Sequence, residues 1–165
     1  MEESMPGGNN SPVVTPGSRL RELGLALPQA PTPLGVYVEA CQVGSLLFLS
    51  GILPVVNGKL SITGRLGDNL SVEQGREAVR IAATNALAVA QQHLGDLDHV
   101  KKLVKLSVVL ATTEQFVEHA AVADGASDLF VQLFGLENGH VRTVSGVQSL
   151  PIGSPVIIEV IFKIK

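Results

Sequence analysis

The sequence is poor in aromatic residues and carries little net charge. Its 165 residues include five Phe, one Tyr and no Trp, and the formal net charge is −3. Surfaces that bind single-stranded nucleic acid usually combine a basic face with aromatic rings on which bases stack. The composition therefore argues against a nucleic-acid partner.

Cysteine and long hydrophobic runs are also scarce. Cys41 is the only cysteine, so neither an intrachain disulfide nor a cysteine-based metal site can form. His93 and His99 lack the spacing of a metal-binding pair. No apolar run approaches the ~20 residues of a membrane span, and residues 1–17 lack the hydrophobic stretch of a secretory signal. These absences predict a protein without a metal or a membrane contact, in the cytoplasm or, alternatively, in an organelle.

The remaining composition predicts a single globular domain. Apolar residues make up 45% of the chain and charged residues 16%, which is ordinary for folded proteins. Residues 1–17 are rich in Gly, Asn, Ser and Pro and predict a flexible N-terminal extension. Residues 18–165 are then the domain, which begins with a short helix that Ser18 can cap and Gly24 can end.

Hydrophobic periodicity predicts strands and helices in mixed order. The longest helix is expected between Ser71, which forms a capping box with Gln74, and Gly95. A further helix ends at Gly135. Strand patterns cover residues 36–41, 46–50, 59–63, 100–111, 140–147 and 155–164. The order β-β-β-α-β-α-β-β, after a short N-terminal helix, predicts an α+β fold with a mixed or antiparallel sheet backed by two helices.

Two details of this prediction depend on local sequence. Thr113 can cap the last helix, but Gly125 costs about 1 kcal/mol relative to Ala inside a helix, so a later start near Asp124 is the alternative. The strand at residues 100–111 has a mixed face that includes Leu103 and Val109. Its other face is fully apolar and suits a sheet covered on one side, with the residues Val100, Val104, Leu106, Val108 and Leu110.

Arg142 is the best candidate for a ligand-binding residue. It shares one strand face with His140 and Val144, in an apolar stretch where an unpaired buried charge costs several kcal/mol. One interpretation is a structural ion pair with Glu159 on the last strand. The other is that the guanidinium binds a small carboxylate through two hydrogen bonds, with Glu159 transferring a proton through water. His140 either assists there or makes only a structural hydrogen bond.

A set of short motifs, in order from about residue 33 to the end, resembles the Rid family. These proteins are reactive-intermediate deaminases, also called YjgF or endoribonuclease L-PSP-like proteins. The matching stretches are residues 33–38 (PLGVYV), 44–51 (GSLLFLSG) through Pro54, 141–143 (VRT), 150–151 (LP) and 156–159 (VIIE). Residues 19–24, 64–67 and 124–130 resemble a longer subgroup whose members mostly lack an established substrate.

The resemblance implies a chorismate-mutase-like fold and a homotrimer whose sheets line a central barrel. It implies ligand clefts between subunits, in which Arg142 binds a substrate carboxylate and Glu159 helps to activate water. Tyr37, Ser50 and Gly51 would line the cleft.

The implied reaction is hydrolysis of enamine or imine intermediates to a 2-keto acid and ammonia, without a cofactor. Three positions depart from the family pattern: Asp124 stands where asparagine is common, and the other two are Ile52 and Val144. Ile52 stands where glutamine is typical, and Val144 stands where cysteine or serine is common. Val144 can still contribute its backbone N–H. Ile52 and Val144 make the expected cleft drier and alter the expected substrate more than the fold.

The sequence leaves three functions open. The first is the deaminase, and the second is a non-catalytic trimer that senses a keto acid or another small carboxylate. The third is an endoribonuclease or translation inhibitor, a label attached to some relatives. The acidic balance and the single tyrosine disfavour strong RNA binding.

Overall fold

A computed structural model describes residues 14–165, so most of the predicted extension, residues 1–13, lies outside the described residues. The first helix, α1 (Pro16–Glu22), is capped by Thr15, and the prediction that Ser18 caps it is wrong. Ser18 is instead the reciprocal partner in a capping box. The Thr15 side chain accepts a hydrogen bond from the Ser18 N–H, and the Ser18 side chain accepts one from the Thr15 N–H.

Strands and helices then alternate irregularly, as expected for an α+β fold. The strands are β1 (Ala40–Val43), β2 (Leu46–Leu49), β3 (Val55–Val56), β4 (Lys59–Leu60), β5 (Val100–Ala111), β6 (Val141–Val147) and β7 (Val156–Ile164). The long helices are α2 (Val72–Leu94) and α3 (His119–Phe134). Five strands form one sheet in the order β1-β2-β7-β5-β6, in which only β5 and β6 run parallel. The predicted mixed sheet is confirmed.

The first strands differ from the prediction. The chain bends through residues 34–37, so β1 begins at Ala40 and not at residue 36. The expected strand at residues 59–63 is reduced to β4, which pairs only with β3. Asn57 and Gly58 form the predicted hairpin turn, with φ of 51° and 77°, the positive values that a two-residue hairpin loop requires.

The helix ends follow the predicted capping signals more closely. Ser71 and Gln74 form the predicted capping box of α2, and Gly95 ends this helix in the left-handed conformation. Gly135 follows α3 as predicted, but α3 begins at His119, between the two alternatives considered. Among the described residues no helix combines the length and the apolar character needed to cross a membrane.

Helices α2 and α3 pack side by side on one face of the sheet. Gly125 allows the contact, because a Cβ atom at this position would lie 2.3 Å from the carbonyl oxygen of Arg76 on α2. We call this side of the sheet the covered face. Its central residues on two strands are buried under the helices, namely Leu106, Val108 and Leu110 of β5 and Ile158, Val160 and Phe162 of β7.

Irregularities in β5 change which residues reach the covered face. The register between β5 and β7 shifts between Val100 and Lys102 and again between Leu103 and Lys105. Leu103 is consequently buried while Val104 is partly exposed, so the predicted assignment of these two residues is wrong. A β-bulge inserts a residue and reverses the alternation beyond it.

The opposite side of the sheet carries no helix within residues 14–165, and we call it the open face. Its residues include both polar and apolar side chains. Phe48 is 38% exposed and Val141 is 66% exposed on this face. Antiparallel sheets commonly pack one face on the core and expose the other face to water or to another surface.

Candidate functional site

Arg142 lies on β6, the edge strand of the sheet, with its side chain on the covered face. In the register of the sheet Arg142 stands beside Leu106 of β5, which itself pairs with Val160 of β7. Both neighbours are buried, and residues paired across a sheet point to the same face. The Arg142 side chain is 23% exposed, so the fold holds it while a ligand can still reach it.

Helix α3 supplies the partners of the Arg142 guanidinium. Arg142 Nη1 donates to Asp124 Oδ1 at 2.7 Å and to Ser127 Oγ at 3.0 Å. Asp124 and Ser127 are three residues apart, so they lie on the same side of the helix. No hydrogen bond from Nη2 or Nε to another of residues 14–165 accompanies these two. The guanidinium therefore keeps an edge with the fork geometry that a carboxylate fits.

His140, immediately before β6, completes this group. Its Nε2 atom lies 3.0 Å from Ser127 Oγ, and its ring meets Phe130 edge-on with 6.3 Å between centroids. Burial, and secondly the positive charge of Arg142, lowers the pKa of His140 below its usual value. The imidazole is therefore neutral near pH 7. We call Asp124, Ser127, His140 and Arg142 the arginine cluster.

Glu159 does not belong to the arginine cluster within one chain. In the sheet register it pairs with Ser107 of β5, which pairs with Thr143 of β6. These three residues lie on the open face, where Thr143 Oγ1 donates to Ser107 Oγ at 3.2 Å. The interpretation of Arg142 and Glu159 as a structural ion pair is wrong, because Arg142 pairs with Asp124 on the other side of the sheet.

Tyr37, Ser50 and Gly51 meet elsewhere, in a cavity of about 670 Å³. The proline-rich residues 28–34, the β3–β4 hairpin and Ile52 form much of its wall. The Tyr37 hydroxyl accepts a hydrogen bond from the Leu34 N–H at 3.1 Å. Ile52 is buried, which agrees with the drier wall expected from its identity.

The Ser50 hydroxyl donates to the Val38 carbonyl oxygen at 2.7 Å, so its hydrogen is already used within the chain. Val144 is partly buried on the covered face and packs against the core. None of His140, Arg142, Val144 and Glu159 is among the residues that line the cavity. The expected site residues thus divide, within one chain, among the arginine cluster, the cavity and the open face, with Val144 apart from all three against the core.

Sequence reasoning missed Ser127 altogether and did not assign Asp124 as the partner of Arg142. The spacing does indicate that Asp124 and Ser127 project from the same side of a helix, and that His140 and Arg142 project from the same face of a strand. It does not indicate that the two pairs meet. Among residues 14–165 no group of three or more His, Cys, Asp or Glu side chains is arranged to hold a metal ion.

Comparisons with known proteins bear on this geometry. The family model described as "YjgF/chorismate_mutase-like, putative endoribonuclease" matches residues 17–164. Protein TCP17 of Trypanosoma cruzi is 39% identical over 148 residues, which cover 89% of this chain and 92% of TCP17.

Two solved structures illustrate the range of similarity. A "putative endoribonuclease" from Shewanella oneidensis superposes with a TM-score of 0.86 at 36% identity, over 91% of this chain and 99% of that one. RidA from the Antarctic bacterium Psychrobacter sp. PAMC 21119 gives a TM-score of 0.60 at 24% identity, over 82% and 94% of the two chains. The second likeness concerns the fold alone.

Proposed function

Because the chain belongs to the YjgF/chorismate mutase-like family, as its resemblance to Rid proteins predicted, we propose that it hydrolyses imines or enamines derived from amino acids. The products are a 2-keto acid and ammonia, and the reaction uses no cofactor. The substrate carries a carboxylate next to the C=N bond. Water adds to the carbon of that bond, so the protein has to hold the carboxylate and move protons.

The single observation that carries the proposal is the arrangement of Arg142. Its Nη1 atom is fixed by Asp124 and Ser127 at 2.7 and 3.0 Å, which orients the whole planar guanidinium. The Nη2–Nε edge remains for an external anion, and two parallel N–H donors match the two oxygens of a carboxylate. A guanidinium fixed on one side before binding loses less freedom when the ligand arrives.

Assembly into a homotrimer is part of the proposal. The open face carries exposed apolar side chains, such as Phe48 and Val141, and exposed apolar patches can mark a protein–protein interface. Clefts between copies would join the Arg142 edge of one chain to the cavity wall around Tyr37 of the next. Arg142 and Glu159 lie on opposite faces in one chain. In the proposed trimer, Glu159 of one copy would therefore contact a ligand bound to Arg142 of a neighbouring copy.

A second candidate, a trimer that binds small carboxylates without turnover, is favoured by one observation. Within one chain the carboxylate proposed to activate water, Glu159, lies on the other side of the sheet from Arg142. The carboxylate nearest to the guanidinium is Asp124, which is already engaged by Arg142 Nη1. If the copies do not bring Glu159 to the ligand, anion binding remains and Glu159 takes no part in turnover.

The test measures the rate of keto-acid release from imines that an amino-acid oxidase generates in the assay. Both small and bulky amino acids serve as the source of the imines. We expect the wild-type protein to accelerate release, and Arg142→Ala to reduce kcat/KM by at least about a hundredfold. Two charge-assisted hydrogen bonds, each worth roughly 1.5–3 kcal/mol, are lost in this variant. Arg76→Ala is the matched control, because Arg76 also pairs with an aspartate of α3, Asp128 at 2.9 Å, but lies outside the arginine cluster.

Binding of pyruvate, a stable keto-acid product, separates the two candidates. Acceleration that is lost in Arg142→Ala supports the deaminase. Pyruvate binding that depends on Arg142, without acceleration of any imine, establishes the binding trimer instead. If wild type neither accelerates release nor binds pyruvate, Arg142 does not hold a carboxylate and both candidates are wrong.

A further inference from the structure

We propose that the cavity beside Tyr37 is a binding site of its own, for an uncharged and largely apolar molecule that carries an N–H or O–H donor. The site is centred on the amide of Asn85, which lines the cavity, and it includes no contact with Arg142, which does not. It therefore stands independently of the deaminase reaction. Its volume of about 670 Å³ lies within the range of small-molecule sites, roughly 300–1,000 Å³.

Asn85 is the buried polar residue of the cavity wall. It lies in the middle of α2 and is 2% exposed. Its Nδ2 group donates to the carbonyl oxygens of Leu53 at 3.0 Å and of Val55 at 2.9 Å. A side-chain amide has two hydrogens to donate, so both are used. The two bonds hold the amide against a segment that itself lines the cavity.

The Asn85 oxygen, in contrast, is an acceptor without a partner. The reversed amide would place Oδ1 against two carbonyl oxygens, which also only accept, so the two bonds fix which atom is which. No hydrogen bond to Oδ1 comes from another of residues 14–165, and among them no fully buried side-chain oxygen or nitrogen lacks a partner. Oδ1 therefore keeps some accessible surface. Because Asn85 is otherwise enclosed, that surface opens into the cavity.

This acceptor selects among ligands. A molecule that displaces solvent from Asn85 Oδ1 without donating to it leaves a buried polar atom unsatisfied, which weakens binding by about five- to a hundredfold. A molecule with a correctly placed N–H or O–H avoids this loss. The amide is already held at two points, so it gives up little freedom when such a ligand binds.

The remaining wall favours an apolar ligand body. Ile52 and Leu53 are buried and line one part of the cavity. Another part is formed by Pro28, Pro31 and Pro33, whose rings fix the backbone angle φ and so stiffen this segment. A cavity with mostly apolar walls and few polar groups is typical of small-molecule sites, in which the polar groups set the orientation of the ligand.

The charged residues of the cavity favour an uncharged ligand. Glu39 is partly buried and Lys59 is exposed, and both line the cavity. Their charges are opposite, so an ion gains little net attraction while it loses solvation against apolar walls. The cavity differs in this respect from the arginine cluster, in which the guanidinium favours an anion.

The test compares indole with indene, which has the same fused rings but a CH₂ group where indole has N–H. Hydrophobic burial alone favours indene, because its surface is entirely apolar. We expect the wild-type protein to bind indole at least about fivefold more tightly, since only indole can donate to Asn85 Oδ1. NMR titrations of nitrogen-labelled protein measure both affinities, and the side-chain amide signals of Asn85 should shift with indole.

A second variant locates the site without altering Asn85. Ala30 lines the cavity and packs against the core, so the larger ring in Ala30→Phe should occupy part of the cavity and weaken indole binding at least about tenfold. Ala26→Phe is the matched control, because Ala26 is exposed in the same segment and does not line the cavity. Arg142→Ala should bind indole as the wild-type protein does.

Each outcome decides the proposal. Equal affinity for indole and indene, or tighter binding of indene, overturns the role of Asn85 Oδ1. Absence of indole binding to the wild-type protein overturns the site, as does unchanged binding to folded Ala30→Phe or loss of binding in Arg142→Ala. If Ala30→Phe does not fold, the ligand pair and the Asn85 signals still decide. The deaminase is judged separately, by imine turnover and pyruvate binding.

Discussion

The two faces of the five-stranded sheet carry different parts of the expected chemistry. The covered face carries Arg142 in contact with Asp124 and Ser127 of α3. The open face carries Glu159 in line with Ser107 and Thr143. Side chains on one face are fixed by packed helices, whereas those on the other lie under no helix of residues 14–165.

The difference shows how a sheet can divide a site. Neighbouring residues on a strand point to opposite faces, so the pairing register decides that Arg142 and Glu159 are separated by the thickness of the sheet. In the proposed trimer, a ligand that touches both residues therefore sits where two copies meet. Packed helices hold the side chains of the covered face, the open face is the surface proposed for assembly, and each can be disturbed independently.

The largest effect on the stability of the single folded chain should come from disturbing the packing of the helices on the covered face. In Gly125→Ala the new Cβ would lie 2.3 Å from the Arg76 carbonyl oxygen, so α2 and α3 have to separate. Overpacking of this kind costs about 1–3 kcal/mol. The expected fall in Tm is roughly 2–12 °C for a domain of this size, measured by calorimetry.

Gly139→Ala is the control, because a Cβ there would lie 3.3 Å from the nearest atom, the Leu136 carbonyl oxygen, and Gly139 is exposed. It should change Tm by no more than a degree or two, corresponding to about 0.5 kcal/mol. Equal Tm values for wild type and Gly125→Ala would contradict the close approach of the two helices.

The open face is tested next by placing a charge on it. Phe48 of β2 stands opposite Ile161 of β7 on this face and is 38% exposed. In Phe48→Asp a buried, unpaired carboxylate would destabilise the proposed interface by several kcal/mol. We expect monomers in sedimentation experiments and at least a tenfold loss of imine hydrolysis, because each proposed cleft needs two copies.

Val117→Asp is the matched control, since Val117 is 84% exposed just before α3, away from the open face. This variant should keep the assembly and the activity of wild type. A Phe48→Asp protein that stays assembled would show that the open face is not the interface. A monomeric Phe48→Asp protein with full activity would show instead that one chain holds the complete site.

Local sequence signals predicted those parts of the fold that local interactions determine. The capping box of Ser71 and Gln74 and the turn at Asn57–Gly58 were predicted correctly, because each depends on residues within a few positions. The alternation of buried and exposed residues along β5 was not predicted correctly, since its bulges arise from pairing with a distant strand. Periodicity alone therefore assigned Leu103 to the wrong face.

The candidate site was predictable only in part for the same reason. Arg142 was singled out because a charge in an apolar strand needs a partner, but the identity of the partner depends on how α3 crosses the sheet. That packing brings Asp124 and Ser127 to Arg142 and leaves Glu159 on the other face. No spacing in the sequence specifies which of two carboxylates, 18 and 17 residues from Arg142, is the nearer in space.

The smallest effect is expected from removing the negative charge of Asp124 on the covered face. In Asp124→Asn the amide oxygen can still accept the hydrogen bond from Arg142 Nη1, but the negative charge near the ligand site disappears. Arg142 should then attract a carboxylate more strongly, and we expect the Kd for pyruvate to fall by about two- to fivefold. The Asp124 side chain is 49% exposed, so screening keeps the effect small and added salt should reduce it. Weaker pyruvate binding at every salt concentration would show instead that Asp124 acts mainly by holding the guanidinium in place.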